Sequence, residues 1–293
     1  MKVITAKYSG FCPGVMQAEK KIFKARQKNA EEPIYILGYL IHNQTYIDYL
    51  SQNSVITVSD TDGLPEGSVV VVRTHGLERH IEEGLHTRYS VLDLTCPKVK
   101  KIQLLIRSYA EKHYFVLITG KKDHPEVQGL VSYADSSHVI EKEADILRFA
   151  ESREASLVKK IFVVSQTTGD PHLFAETVRI VGEAAASRGI RLESLNSVCS
   201  ITAMREGEAL SLQKKVDVTF VIGDRISSNA TKLYKVLAAE GERDVFFVNS
   251  KDETRAVVAG RGGDAAWKTA QVVSSSSTPA FLEREIVEYL ESL

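Results

Sequence analysis

Short, dense apolar runs alternate along this chain with longer stretches in which apolar residues recur every three or four positions. The first pattern predicts strands buried on both faces, the second amphipathic helices, and their alternation predicts α/β architecture with parallel sheets and crossover helices. The strands expected on this basis are Lys2–Lys7, Ile34–Gly38, Val69–Thr74, Tyr114–Thr119, Ile161–Ser165, Val216–Ile222, Val245–Asn249 and Ala270–Ser274. The helices are Gly14–Lys28, Val99–Lys112, Pro171–Arg188, Ala203–Lys214, Thr231–Glu240 and a closing one from Pro279 to Leu293. Gly260-Arg261-Gly262-Gly263 reads as a surface turn, and Ser274–Ser277 is a low-complexity run.

Superimposing the three cysteines reveals an internal repeat. Each follows a short strand and opens a helix, in Phe11-Cys12-Pro13-Gly14, Thr95-Cys96-Pro97-Lys98 and Val198-Cys199-Ser200-Ile201. A strand ending in glycine comes next, at Gly38, Gly120 and Gly223, which lie 26, 24 and 24 residues beyond their cysteines. Four residues past each glycine stands a polar group: His42, His124 and Ser227. The expectation is three similar α/β modules around a pseudo-threefold axis, a trefoil whose cysteine loops face a shared centre. The modules are residues 14–96, residues 97–195, and residues 1–13 joined with 196–293.

Composition narrows the class of protein. Of 293 residues 43% are apolar, enough for one large or several small cores. Lysine plus arginine number 37 against 38 acidic residues, so the net charge of −1 provides no basic face for nucleic acid or an anionic membrane. Runs such as Val69–Val72 fall far short of the ~20 residues that span a bilayer, and residues 1–7 do not resemble a secretory signal. A cytoplasmic protein with no membrane and no nucleic-acid partner is expected. Three cysteines cannot all pair within one chain, so free or metal-bound thiols are expected in a reducing compartment.

Isolated cytosolic cysteines are most often small buried hydrophobes. Here each sits at a helix start, where the dipole and free N–H groups stabilise a thiolate. Metal binding is therefore the better reading. The nearest two cysteines are 84 residues apart, which argues against a zinc ribbon or finger and leaves a three-cysteine zinc site or an iron–sulfur cluster. Three histidines, His42, His75 and His124, follow strands, where α/β proteins bind ligands. With Ser227-Ser228-Asn229 and Ser277-Thr278-Pro279 they form a set of donors suited to phosphate or diphosphate. Glu126, if buried on its loop, acquires a raised pKa and can donate a proton, while Thr167 and Thr168, at the end of the second module's last strand, can orient a hydroxyl. His80, His86, His113, His138 and His172 read as surface residues on helices or turns.

Eight ordered motifs carry a resemblance across essentially the whole chain. They are Phe11-Cys12-Pro13-Gly14-Val15, Ile41-His42-Asn43, Arg73-Thr74-His75-Gly76, Asp93-Leu94-Thr95-Cys96-Pro97, His124-Pro125-Glu126-Val127, Ser165-Gln166-Thr167-Thr168, Ser227-Ser228-Asn229 and Ser277-Thr278-Pro279. In these the chain resembles the 4-hydroxy-3-methylbut-2-enyl diphosphate reductase family, iron–sulfur oxidoreductases that act last in the methylerythritol phosphate route to isoprenoids. The resemblance implies a trefoil around one 4Fe-4S cluster per chain, held by Cys12, Cys96 and Cys199, with the fourth iron open to the substrate's hydroxyl. It further implies that His42, His75, His124, Ser227, Ser228, Asn229 and Ser277 hold the diphosphate. Thr167 and Glu126 would stand beside the hydroxyl, with Glu126 as proton donor. Two electrons would come singly from a ferredoxin- or flavodoxin-type donor, and the products would be isopentenyl and dimethylallyl diphosphate.

The chain departs from the family pattern in the third module. Ile226 stands where asparagine is usual, Ser275 where glycine is usual, and Asn196-Ser197 where Asp-Thr is usual. A glycine is free to take positive φ and a serine is not, so a different backbone path is expected at the last loop. Two rivals remain at this level: a three-cysteine zinc hydrolase of phosphate esters, and a non-catalytic iron–sulfur sensor.

Overall fold

The computed structural model describes residues 1–241, 243–260 and 267–293. The chain begins with β1 (Lys2–Thr5) and α1 (Pro13–Lys28), followed by β2 (Ile34–Leu37), α2 (Gln44–Gln52), β3 (Val55–Val58), β4 (Val69–Val72), α3 (Arg79–Leu85) and β5 (Ser90–Asp93). It continues through α4 (Pro97–Ala110), β6 (Phe115–Thr119), α5 (Pro125–Val131), β7 (Ser137–Ile140), α6 (Glu143–Ala150), α7 (Arg153–Leu157), β8 (Lys160–Ser165), α8 (Pro171–Ser187) and β9 (Arg191–Leu195). It ends with α9 (Ser200–Gln213), β10 (Val218–Ile222), α10 (Ser228–Ala239), β11 (Asp244–Val248), α11 (Lys251–Gly260), β12 (Thr269–Ser274) and α12 (Ala280–Glu291). The turn expected at Gly260–Gly263 lies, from Arg261 onward, outside the described residues.

The strands form three four-stranded parallel sheets, ordered β3-β2-β4-β5, β7-β6-β8-β9 and β11-β10-β12-β1. The architecture is α/β. Counted from the first strand of each group, all three sheets have the order 2-1-3-4, provided the N-terminal strand β1 is taken as the fourth strand beside β12. The repeat extends to individual hydrogen bonds. Gly38 N donates to Val58 O at 2.8 Å, Gly120 N to Ile140 O at 3.0 Å and Gly223 N to Val248 O at 3.0 Å, so each glycine closes strand 1 against strand 2.

By contacts the chain forms two compact units. One comprises residues 1–33, 39–57 and 200–293, the other residues 34–38 and 58–199. In the first, Phe220, Ile222, Val272 and Ile286 are buried between the sheet and α12. In the second, Val116, Ile118 and Phe162 pack with Ile102 and Ile106 of α4 and Val127 and Leu130 of α5, and the ring of Tyr109 stacks on Phe162 at 3.8 Å. Each such large apolar side chain contributes about 1.5–3 kcal/mol on burial.

The eight strands expected from the sequence are present, and four more accompany them. Of these, β3, β5, β7 and β9 are edge strands that are only partly covered, as in Arg191-Leu192-Glu193-Ser194-Leu195, so their apolar runs are broken. Two corrections follow. Thr167 and Thr168 come after β8, and the last strand of that sheet is β9. His138 is half-buried on strand β7 with its ring 5.5 Å from Phe149, rather than on a helix or turn. No helix among the described residues is long and apolar enough to cross a membrane.

The loop between β1 and Cys12 is held from both sides. Glu208 of α9 accepts from Lys7 N at 2.9 Å and Tyr8 N at 2.8 Å. The buried Arg205 guanidinium donates to Tyr8 O and Gly10 O, each at 2.6 Å. Ser274 Oγ accepts from Gly10 N at 2.7 Å, and Glu283 of α12 accepts from both Ser9 and Ser274. Replacing Arg205 with Met strands two carbonyls next to apolar atoms. Arg205→Met is expected to lower the unfolding free energy by about 2–4 kcal/mol, read as a fall in the urea midpoint with m unchanged.

Candidate active site

In parallel sheets the ligand-binding position lies beyond the carboxyl ends of the strands, beside the point where the order reverses. In the order 2-1-3-4 that point is between strands 1 and 3. The loops leaving those strands are residues 38–43 and 73–76, residues 120–124 and 166–168, and residues 223–227 and 275–278. All the polar residues singled out in the sequence lie on these loops or in the first turn of the helix that follows. The cysteines occupy the remaining repeated position, after strand 4: Cys12 after β1, Cys96 after β5 and Cys199 after β9.

Local chemistry explains these placements. Cys12 and Cys96 are the N-caps of α1 and α4, each followed by a proline whose missing N–H costs nothing at a helix start. Cys199 immediately precedes α9, and none of the three cysteines is in a disulfide. Asn43 caps α2, its Oδ1 accepting from Tyr46 N at 2.9 Å, which puts His42 just ahead of that helix. Ser227 caps α10 and is buried. His124 caps α5, its Nδ1 accepting from Glu126 N at 3.1 Å. That bond leaves the proton of a neutral His124 on Nε2.

Within the unit of residues 34–38 and 58–199, six of the expected site residues are linked. The rings of His75 and His124 meet edge to face with centroids 5.5 Å apart. Glu126, 1% exposed, accepts from Thr167 N at 2.6 Å and Thr167 Oγ1 at 2.7 Å. Thr167 O in turn accepts from Cys199 N at 2.7 Å, as Thr74 O, next to His75, accepts from Cys96 N at 2.9 Å. Cys199 Sγ accepts from Lys98 Nζ at 3.2 Å, and Lys98 is in the first turn of the helix that Cys96 caps. A cysteine, a hydroxyl, a carboxyl and two imidazoles thus connect through a few bonds.

Burial pushes the Glu126 carboxyl up to about 7, against the two bonds from Thr167, which favour its ionised form. The residue is thus held where it can exist as an acid near neutral pH. At the end of β4, Arg73 is half-buried with its guanidinium against the α-carbon of Gly38; a Cβ there would come within 2.1 Å of Nη1. Gly38 has φ +74°, which also favours glycine.

In the other unit, Ser227 and Ser277 share a hydroxyl–hydroxyl bond of 2.7 Å, and Ser275 and Ser277 one of 2.8 Å. Asn229 Nδ2 donates to Ser276 Oγ at 2.8 Å, and Ser228 is the first residue of α10. Cys12 and His42 belong to this unit as well, the His42 ring lying 5.8 Å from Tyr39. Among the described residues no three His, Cys, Asp or Glu side chains gather around one point as they would for a single metal ion. Thr168 Oγ1 is occupied by Gln166 Nε2 at 2.7 Å.

The model matching residues 3–291 is that of the LytB protein. The chain belongs to the LytB family. Among curated LytB relatives named 4-hydroxy-3-methylbut-2-enyl diphosphate reductase, that of Alkaliphilus oremlandii is 30% identical, covering 100% of both chains. That of Clostridium perfringens is 32% identical over 99% of both, and that of Geobacter sulfurreducens 32% over 99% of this chain and 97% of its own. The solved structure of (E)-4-hydroxy-3-methyl-but-2-enyl diphosphate reductase, described as the terminal enzyme of the non-mevalonate pathway, matches over 100% of both chains with TM-score 0.75 and 28% identity. The structure of the E-1-hydroxy-2-methyl-but-2-enyl-4-diphosphate reductase of Plasmodium falciparum shares the fold, with TM-score 0.82 over 99% of this chain and 87% of its own at 24% identity.

The departures from the usual pattern are accommodated. Asn196 Oδ1 accepts from Val198 N at 3.1 Å, the turn that Asp93 Oδ1 makes with Thr95 N at 2.8 Å before Cys96. Ser197 Oγ accepts from Ser165 N at 2.7 Å and donates to Ser165 O at 2.5 Å, tying this turn to the end of β8. Ser275 is buried without positive φ, and its N–H reaches Ile222 O at 3.3 Å. Ile226 is 63% exposed and only its backbone N–H is engaged, with Asp224. Sequence reasoning missed Lys98 and Ser276 as contributors. Lys98 carried one readable signal, a cation two residues past a helix-capping cysteine.

The Glu126 shift has a stability consequence. Its folded pKa lies above the unfolded value, so its contribution is complete below about pH 4 and is lost as pH rises through about 7. Glu126→Gln cannot ionise. The stability of that variant relative to wild type is therefore expected to grow between pH 5 and pH 8, by up to about 3 kcal/mol, measured by urea unfolding of the metal-free protein at four pH values. A difference independent of pH would refute the raised pKa.

Proposed function

We propose that this chain reductively removes the hydroxyl of 4-hydroxy-3-methylbut-2-enyl diphosphate, the compound whose reductases its relatives are named as, to give isopentenyl and dimethylallyl diphosphate. The C–O bond breaks, a C–H bond forms, two electrons and two protons are taken up, and water leaves. The observation that carries the reading is the linkage of Glu126, Thr167 and Cys199: a buried acid, the hydroxyl that holds it and a free thiol on one short chain of bonds.

The donor set fits a 4Fe-4S cluster. Three cysteines outside any disulfide, each at the start of a helix and each after the fourth strand of a repeated sheet, supply the soft thiolate donors that iron–sulfur groups take. Cys12, Cys96 and Cys199 would hold it. When bound, such a group would supply Lewis-acid and one-electron chemistry at the substrate's hydroxyl, with a ferredoxin- or flavodoxin-type protein as the source of electrons. We take residues 14–96, 97–195 and 1–13 with 196–293 as the three modules that contribute one cysteine each, in a cytoplasmic enzyme.

The chain's own groups carry the remaining tasks. His42, His75, His124, Ser227, Ser228, Asn229 and Ser277 bind the diphosphate. The serines and Asn229 exchange bonds with each other for bonds to phosphate oxygens, at the positive end of α10. His124 offers its Nε2 proton. Anchoring the diphosphate holds the carbon skeleton still, so binding energy remote from the C–O bond serves orientation. Thr167 Oγ1 orients the substrate hydroxyl and keeps Glu126 in place. Glu126, protonated near neutrality, delivers a proton to the departing oxygen, because hydroxide is a poor leaving group and water a good one.

Anaerobic reconstitution tests this directly. The protein is expected to take up four irons and four sulfides, to turn brown, and to reduce the allylic diphosphate when given a one-electron donor. Glu126→Gln is expected to keep the cluster and bind substrate but lose about 10²-fold or more in turnover. Uptake of zinc without iron and sulfide would overturn the proposal, and full turnover in Glu126→Gln would remove Glu126 from it.

A further inference from the structure

Lys98 carries a bond that the proposed reaction leaves unexplained. It stands two residues after Cys96, in the first turn of α4, and its side chain reaches across to another cysteine, donating from Nζ to Cys199 Sγ at 3.2 Å. Surface lysines usually extend into water, where an ammonium is best hydrated. This exposed one is instead turned onto a sulfur. Its neighbours do not account for that. Lys100, on the same helix, is paired with Glu82 and Asp93, whereas no carboxylate ion-pairs with Lys98 among the described residues.

We propose that Lys98 sets the reduction potential of the iron–sulfur group through Cys199. The inference rests on the cluster reading above. Reduction by an external one-electron donor adds one negative charge to the group, and part of that charge resides on the cysteine sulfurs. A cationic N–H donor at one sulfur stabilises the reduced form more than the oxidised form and so raises the potential. The group is then easier to reduce with a donor of given strength. No proton is transferred in this role; Lys98 stays an ammonium and acts as a fixed charge and hydrogen-bond donor. Its side chain bonds Cys199 Sγ and not Glu126, so it is a positioning and tuning residue rather than a catalytic one.

The experiment is a potentiometric titration of the anaerobically reconstituted full-length protein, following the reduced cluster by electron paramagnetic resonance, for wild type, Lys98→Met and Lys98→Arg. At the wild-type midpoint, Lys98→Met is expected to show a reduced-to-oxidised ratio about tenfold lower, a downward shift of about 59 mV for one electron. Lys98→Arg, which keeps a cationic donor, is expected to stay within about threefold of wild type. Iron and sulfide content measured on the same samples shows whether each variant holds an intact cluster. Equal midpoints in wild type and Lys98→Met overturn the tuning role while leaving the cluster reading intact. An equal fall in Lys98→Arg also overturns it, because the effect then follows from disturbing the helix start and not from charge. Wild-type protein that assembles no iron–sulfur group defeats the cluster reading itself, and the tuning role with it.

Discussion

Parallel pairing obliges every strand of a sheet to end at the same edge, and the rest of this molecule depends on that constraint. A chain that must cross over between strands delivers a loop and a helix start at that edge each time. Here three sheets of the same order, 2-1-3-4, each deliver two polar loops beside the point of reversal and one cysteine beyond the fourth strand. Helix starts carry unpaired N–H groups and partial positive charge. The fold thereby concentrates at defined positions the dipoles that anions and thiolates need, with no requirement for a basic surface. A chain with 37 cationic and 38 acidic residues can therefore belong to a family whose members are named for a diphosphate substrate.

The second controlling balance is desolvation against hydrogen bonding at Glu126. Two short bonds from Thr167 would by themselves hold the carboxyl ionised, yet burial outweighs them. The same threonine fixes the carboxyl's orientation and, through its carbonyl, the backbone at Cys199. Acid, hydroxyl and thiol are therefore positioned by one residue. A displacement of the loop after β8 would move all three together, which ties the geometry of the proposed chemistry to the packing of β6 against β8.

At the departures of the third sheet and the β9 turn, the polar replacements are each engaged through a hydrogen-bonding atom. Asn196 keeps the acceptor oxygen that the turn before Cys199 uses, and Ser197 keeps the hydroxyl that ties this turn to Ser165. The Ser275 hydroxyl joins Ser277, so the last loop gains a polar contact in a position where a glycine would have none. Ile226 keeps only a backbone role, and its side chain lies in solvent.

Much of this organisation was legible in the chain itself. Central strands such as Val218–Ile222 and Phe115–Thr119 are buried on both faces, so their apolar runs are continuous and easily read. The cysteine–glycine–polar spacing is a local property of each repeat and survives the divergence of everything around it. Edge strands such as β9 and short helices such as α5 were not legible. An edge strand needs apolar cover on fewer sides, and a helix of two turns has too few positions to show its period. Strand order, the place of β1 as the fourth strand beside β12, the burial of Glu126 and the reach of Lys98 to Cys199 depend on contacts between residues distant in sequence. Residue types and their spacing determined which groups are available for chemistry; only tertiary packing decided which of them meet, because burial and hydrogen bonding are properties of neighbours in space.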